Sequence, residues 1–312
     1  MHTWLSLADI PASQGASAVT IGKFDGVHIG HLAIIRQLKA LADARGAASV
    51  VVTFDRHPAA LFAPESAPED ITGLEHRLEL LQAEGVDATL VLPFTSELAA
   101  LSAHDFIEQV LVSSLHAQVV LVGHDFRFGA NAAGDVDLLR ELGAEFGFEV
   151  VIIDDVQDAH GNRASSSAIR TLMADGDVAA TADLLGRLPS VHGIVVHGAA
   201  RGRELGFPTA NLSQDATGLV PSDGVYAGWL TVDGTRYPSA ISVGTNPTFE
   251  GQLHRTVEAY VIDEDFDLYD KHVVVEFAER LRGMVSYSGI EPLIAQMHAD
   301  VDQARAILGV TA

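Results

Sequence analysis

"AVTIGKFDGVHIGH", residues 18–31, decides how the first half of this chain folds. Ala18, Val19, Thr20 and Ile21 make a short apolar run with β-branched residues, the composition of a strand. Gly22 interrupts it. From residue 31 to about 45 the period changes: Leu32, Ile35, Leu38 and Leu41 recur on one helical face, and Gly46 stands where a C-cap is needed. A strand that leads through glycines into a helix exposes backbone N–H groups at the positive end of the helix dipole, and so forms an anion site. His28 and His31 occupy that end. Each imidazole can donate to a phosphate oxygen without a large fixed charge, which suits stabilisation of the extra negative charge on a phosphorus under attack. Two surface histidines on a loop would show the same spacing; the surrounding Gly22, Phe24, Asp25, Gly26 and Gly30 favour the anion site. Zinc is the weaker alternative, since no HExxH pattern occurs and the chain has no cysteine to supply a thiolate.

Working outward, the same alternation repeats. Strand-like runs at 49–54, 88–93, 117–123 and 148–154 are separated by amphipathic segments at 73–84, 102–115 and 136–146. Such βα repetition predicts a doubly wound parallel sheet, in which ligands sit beyond the carboxyl ends of the strands; the quoted loop occupies one of those ends. After "LLGRLPSVHG" the rhythm becomes strand after strand with no long helical pattern between. Asp233-Gly234 between two such runs is a hairpin signal, and the succession predicts a closed or nearly closed antiparallel barrel. One long helix ends the chain, expected to open on a capping box of Ser288 and Glu291 and to run through Leu293, Met297 and Val301 to about Leu308. The expected domains are residues 1–187 and 188–312.

Composition narrows what these halves can do. At 312 residues a single hydrophobic core gives way to two. With 19 basic against 42 acidic residues the formal charge is -23, which argues against a nucleic-acid partner, because phosphate backbones are bound by neutralising them. Lys23, Lys39 and Lys271 are the chain's lysines, so phosphate must be handled mainly by arginine, histidine, backbone amides or a metal. No stretch of about 18 uninterrupted apolar residues predicts a membrane span. The first residues lack the basic region and apolar run of a signal peptide, so no membrane partner is expected and the expected location is the cytoplasm. Oligomeric state is left open.

Other motifs carry two readings each. "GANAAGD" at 129–135 has Walker A glycine spacing, but Asp135 and Val136 stand where Lys and Ser or Thr are needed. "VGHDFRFG" at 122–129 offers Asp125 to a ribose or base and Phe126 and Phe128 as flat surfaces or as core. "SSSAIR" at 165–170 puts hydroxyls at a helix start with Arg170 one turn in, either a phosphate clamp or plain N-capping. In "RGRELGFPTANL", Thr209 and Asn211 share one side if the stretch is extended and could join a magnesium-bound nucleotide; alternatively Pro208 fixes a turn. Glu258 alternates with Val257 and Ala259, solvated or placed to take a proton from a substrate hydroxyl.

Taken together, "GKFDGVHIGH", "TFDRHP", "VGHDFRFG", "SSSAIR", "GRELGFPTANL", "DGVYAG", "SVGTNPTF", "VEAYVID" and "YDKHVVVEF", in this order, resemble the bifunctional riboflavin kinase and FAD synthetase of bacteria from about residue 15 to the end. The resemblance implies an enzyme that uses ATP to make FMN from riboflavin and then FAD from FMN, with Mg2+ as cofactor. It implies an N-terminal doubly wound nucleotidyltransferase domain, the FMN adenylyltransferase, and a C-terminal antiparallel β-barrel riboflavin kinase domain with a terminal helix. His28 and His31 become its HxGH pair, with Arg170 and the Ser166-Ser167 pair at the phosphates and Gly22, Phe24, Asp25, Gly26, Gly30 and Asp125 around ATP. Thr209 and Asn211 fall at the kinase's magnesium nucleotide and Glu258 at its base. Phe62, Phe128 and His57 become flavin contacts. Departures from the commoner wording are Ser167 for Thr, Arg56 for Pro, and "GRLPSVHG" at the junction. A protein of the same fold with only one working active site, and a flavin carrier or regulator without turnover, are the rival readings.

Overall fold

The strands of the first half are nearly unbroken apolar runs because both faces of their sheet are covered. In the computed structural model, which describes residues 1–161, 163–198, 205–247, 253–264 and 266–310, packing divides the chain into Met1–Ala164 and Ser165–Ala312. Gly202, Arg203 and Glu204 of the "GRELGFPTANL" motif, and Thr248 and Phe249 of "SVGTNPTF", lie outside the described residues.

In the first unit β1 (His2–Trp4), β2 (Ser17–Ile21), β3 (Ala48–Phe54), β4 (Ala88–Leu92), β5 (Ala117–Gly123) and β6 (Glu149–Ile153) form a parallel sheet in the order β1-β4-β3-β2-β5-β6. Val19 is in register with Val50 on one side and Val120 on the other. Successive side chains alternate faces, so Val19, Ile21, Val50, Val52, Leu90 and Val120 join one buried cluster while Ala18, Val51, Val119 and Leu121 join another. The helices are α1 (Ile29–Arg45), α2 (Ala59–Phe62), α3 (Leu74–Ala83), α4 (Ser96–Ala100), α5 (Ala103–Phe106) and α6 (Val136–Phe146). Ile35, Leu38 and Ala42 of α1 and Leu81 of α3 cover the second face; Phe106, Ile107, Val110, Leu139 and Leu142 cover the first. Each large aliphatic side chain so buried contributes roughly 1.5–3 kcal/mol. Gly46 ends α1 in the left-handed conformation its position required. The order places a switch point between β2 and β5, where the chain leaves the sheet's centre in opposite directions.

The second unit begins with α7 (Ser166–Asp175) and α8 (Val178–Leu185), which the sequence-level division at 187/188 counted with the first domain. Its strands β7 (Ser190–Val196), β8 (Thr209–Leu212), β9 (Gly224–Val232), β10 (Thr235–Pro247), β11 (Leu253–Val261) and β12 (His272–Arg282) close an antiparallel barrel, β10-β11-β8-β7-β12-β9. Alternate residues such as Val191, Val195, Ile241, Val243, Val257, Ala259, Val273 and Val275 fill it. Asp233 (φ 49°) and Gly234 (φ 78°) make the expected β9–β10 hairpin, both in the positive-φ region that a tight two-residue turn needs. The terminal helix α9 (Ile290–Leu308) packs on the barrel through Val301 and Ala304 beside Phe207, Ala227 and Ile262.

Three expectations are corrected. The parallel sheet has a sixth strand, β1, which adds an edge beside β4 through His2, Thr3 and Trp4. The 102–115 segment is α-helical only to Phe106; Ile107–Ser114 is a π-helix, with Leu115 N–H on the Val110 carbonyl. The last helix has Gly289 as its N-cap and no side-chain cap. A Ser288 cap would need the first i to i−4 bond from residue 292, and Pro292 has no N–H to give.

Candidate active sites

The loop after β2 is bent in a way that few sequences tolerate. Phe24 (φ 51°), Gly26 (φ 84°) and Val27 (φ 39°) all have positive φ, and the two non-glycine residues each cost of order 1–3 kcal/mol unless their surroundings hold them. Phe24 and Val27 are fully buried. Asp25, 1% exposed, turns its carboxylate inward: Oδ1 accepts from Ile71 N–H at 2.9 Å and Thr72 N–H at 3.3 Å, and Lys23 Nζ lies 3.3 Å from Oδ2. Gly26 N–H donates to Thr72 Oγ1 at 3.2 Å. Asp25 thus braces the loop rather than facing outward.

This brace leads into α1, whose N-cap is His28. His31 N–H donates to His28 Nδ1 at 3.4 Å, and His28 N–H donates to His31 Nδ1 at 3.3 Å, a capping box built from two imidazoles. Their rings stack with centroids 3.7 Å apart. Because each Nδ1 accepts from backbone, each ring carries its proton on Nε2, and both present a donor at the helix's positive end. A Cβ on Gly30 would stand 3.0 Å from His28 Cε1, so glycine leaves the ring its place.

Beyond the carboxyl ends of the same strands lies an apolar cavity of about 480 Å3, lined by Ile21, Phe54, Pro58, Phe62, Phe94 and Phe128 among others. Phe54 and Phe94 meet edge to face at 5.4 Å, Phe62 and Phe94 at 6.4 Å, and Phe126 stacks on Phe128 at 5.5 Å. Phe62 is 70% exposed, a large aromatic at the rim. Asp55 anchors this wall by accepting Phe94 N–H at 2.8 Å; burial pushes its carboxyl up, but Arg56 and that N–H outweigh it and hold it below the usual range. His57 does not line the cavity: its Nδ1 accepts from Ala59 N–H at 3.0 Å and shapes the turn that carries Pro58 and Phe62 there. The 129–135 loop is no P-loop; Phe128 and Gly134 form an antiparallel bridge, and a Cβ on Gly134 would strike the Phe128 ring at 2.7 Å. Asp125, after β5, pairs with Arg163 at 3.0 Å, and Arg163 also reaches Asp155 at 3.0 Å. In the second unit Ser165 is the N-cap of α7, accepting Ala168 N–H, with Ser166, Ser167 and Arg170 in its first turns.

The second unit holds another polar cluster beside another cavity. Glu258 of β11 is directly opposite Asn211 of β8, and Tyr260 opposite Thr209. The stretch 209–212 is therefore extended, with the hydroxyl and amide on one side and Ala210 buried on the other. Thr209 Oγ1 donates to Glu258 Oε2 at 3.4 Å, and Asn211 Nδ2 lies 3.2 Å from Thr209 Oγ1. A hydroxyl, an amide oxygen and a carboxylate give an all-oxygen donor set, the chemistry that suits Mg2+. A Cβ on Gly198 would lie 2.4 Å from Asn211 Oδ1, so this glycine keeps the amide's space open. Thr209 and Glu258 also line an apolar cavity of about 280 Å3, with Phe207, Ile241, Tyr260 and Met297. Arg282 and Asp300 stand at the same cavity, joined by Nη2–Oδ2 at 2.7 Å and Nε–Oδ1 at 2.9 Å, and the carboxylate holds the guanidinium charged above its ordinary range.

Motif reading missed Arg77, Arg163 and the Arg282–Asp300 pair. Their spacing along the chain points to no ligand, and only the fold brings Arg163 to Asp125 and Asp155 and Arg282 to Asp300.

Two family models match this chain: FAD synthetase over residues 10–168 and riboflavin kinase over residues 185–308. The chain is 38% identical, over 97% of its length and 96% of the relative's, to the bifunctional riboflavin kinase/FMN adenylyltransferase of Pseudomonas fluorescens. It is 36% identical, over 96% and 95%, to the protein of that name in Escherichia coli strain K12. A crystal structure described as a macrolide-efflux protein from Streptococcus pneumoniae matches with a TM-score of 0.86 at 31% identity, over 97% of this chain and 98% of that one. Among the described residues here, no helix is long and apolar enough to cross a membrane.

Proposed function

The chain belongs to the bifunctional riboflavin kinase/FMN adenylyltransferase family, an enzyme making FMN from riboflavin and ATP and then FAD from FMN and ATP, and from that premise we propose how its residues divide the work. The observation that carries the assignment is that each unit pairs one apolar cavity with one cluster of phosphate-suited polar groups. Adenylyl transfer belongs to the domain before residue 188 and phosphorylation to the domain after it. The cytoplasm is the compartment that fits a consumer of ATP.

In the first domain the flavin ring takes the 480 Å3 cavity, between Phe62 at the rim and Phe128 in the wall. An oxygen of the FMN phosphate attacks the α-phosphorus of ATP, the bond to the β-phosphate bridging oxygen breaks, and pyrophosphate leaves. His28 and His31 donate through Nε2 to the oxygens on which charge builds, while Gly22, Gly26 and Gly30 let the backbone approach them. Phe24 and Asp25 hold that loop's shape, and Asp125 takes the ribose. His57 supports the flavin wall through its turn.

In the second domain riboflavin takes the 280 Å3 cavity. Glu258 accepts the proton of the terminal ribityl hydroxyl as that oxygen attacks the γ-phosphorus and ADP leaves. Thr209 and Asn211 would hold Mg2+, which neutralises phosphate charge when bound.

The test is a product assay with separate substrates. Glu258→Ala should abolish riboflavin phosphorylation while FMN is still converted to FAD; His28→Ala with His31→Ala should do the reverse. Removal of one catalytic group of this kind costs about 100-fold or more. Loss of both activities in either variant, or of neither, would refute the division, and a carrier would form no product at all.

A further inference from the structure

Arg77, on α3, is 0% exposed, an unusual place for a guanidinium. Its Nη1 donates to the Lys23 carbonyl at 2.9 Å, the Phe54 carbonyl at 3.0 Å and Thr53 Oγ1 at 3.2 Å. Thr53 Oγ1 in turn donates to the Lys23 carbonyl at 2.9 Å. Nε and Nη2 are buried with no hydrogen-bond partner among the described residues. Burial draws the guanidinium's pKa down, against the pull of Asp25, Asp70 and Asp55.

A buried cation using one nitrogen of three is a poor stabiliser, since an apolar side chain of similar volume fills the same space without desolvating a charge. What Nη1 touches explains its presence better. Lys23 belongs to the strained loop that delivers His28, and Phe54 is the end of β3 that walls the flavin cavity. Two carbonyls from two substrate-binding segments thus converge on one donor.

We propose that Arg77 is a positioning residue of adenylyl transfer, fixing the triphosphate loop and the flavin wall relative to one another from inside the fold. It touches neither substrate. Because the inference rests on the adenylyl-transfer reading of this unit, its test separates the two.

Full-length Arg77→Met, Arg77→Lys and Thr53→Val are assayed for FMN-to-FAD conversion and for riboflavin phosphorylation, beside the His28→Ala/His31→Ala variant. Arg77→Met should raise KM for ATP and KM for FMN together, each by about tenfold or more, the size of a lost charge-assisted hydrogen bond. Phosphorylation of riboflavin should stay at the parent rate. Arg77→Lys, which keeps a donor and the charge, should recover most of the loss, and Thr53→Val should move both constants in the same direction by less. A merely structural arginine would lower the folded fraction, and with it kcat, while leaving both KM values in place; that result overturns the proposal. Should Arg77→Met not fold, unchanged KM values in Thr53→Val overturn it equally. If the histidine variant keeps full FAD synthesis, the underlying reading has failed instead.

Discussion

At Gly198 one methyl group is enough to probe the kinase chemistry. The Asn211 amide lies where a Cβ on residue 198 would stand, with Oδ1 at 2.4 Å and Nδ2 at 2.7 Å. The amide is the end of a flexible side chain, so it would swing aside rather than unfold the barrel. Gly198→Ala should therefore raise KM for magnesium ATP in riboflavin phosphorylation by about tenfold, a change of ~1.4 kcal/mol. FAD synthesis from supplied FMN should be unchanged and the unfolding temperature nearly so. Unaltered phosphorylation kinetics would mean that the Asn211 amide does nothing there. At this scale the sequence was legible where spacing fixes geometry. Thr209 and Asn211, two apart, share a side because the stretch is extended, and Glu258 faces them because Val257 and Ala259 are buried. It was silent on the direction of Asp25, whose carboxylate turns inward onto the Ile71 and Thr72 amides.

At the scale of elements, the terminal helix α9 is fastened to the end of β12 by one ion pair. Asp300 is 4% exposed, takes two nitrogens of Arg282, and also accepts from Gln296 Nε2 at 2.9 Å. Breaking a buried pair by removing one member leaves the other uncompensated; a fully buried case costs 3–5 kcal/mol, and the partly exposed Arg282 lowers this to about 2–3 kcal/mol. Asp300→Ala should accordingly destabilise the second unit by that amount and weaken riboflavin binding, because both residues line the cavity. Calorimetry and flavin titration check it, and a variant with parent stability would show that apolar packing through Val301 and Ala304 suffices. Elements with a complete pattern were readable: β2, β3 and the middle of β5 are buried on both faces and so are mostly apolar, and α1 ends on a glycine in the left-handed region. Those without one were not. Strand β1 has three residues, and its pairing with β4 is a tertiary contact. The π-helix at 107–114 has the same apolar residues an α-helix would have. The capping box failed because Pro292, four residues on, decides which residue can cap.

The whole molecule carries a charge of -23, with acidic residues outnumbering basic ones by more than two to one. Two electrostatic effects then compete when salt is added. Attractive pairs such as Arg236 with Glu276 and Arg140 with Asp137 are weakened, but exposed pairs of this kind contribute about 0–1 kcal/mol each. Repulsion among the excess carboxylates acts between all neighbours at once, and screening relieves it as the Debye length falls from about 10 Å at 0.1 M salt to about 3 Å at 1 M. The excess is large and the pairs are individually weak, so repulsion wins. Stability should rise with salt: a gain of about 2 kcal/mol would lift the unfolding temperature of units of this size by roughly 4–8 °C. Thermal unfolding in about 0.05 M and about 1 M potassium chloride measures it, with sucrose at matched osmolality as the control for solvent exclusion. A fall in unfolding temperature with salt would mean that the ion pairs outweigh the repulsion, and an equal rise in sucrose would trace the effect to exclusion rather than charge. The same field opposes the approach of ATP, so groups that bind its phosphates have to act at short range, where local geometry rather than net charge decides the outcome.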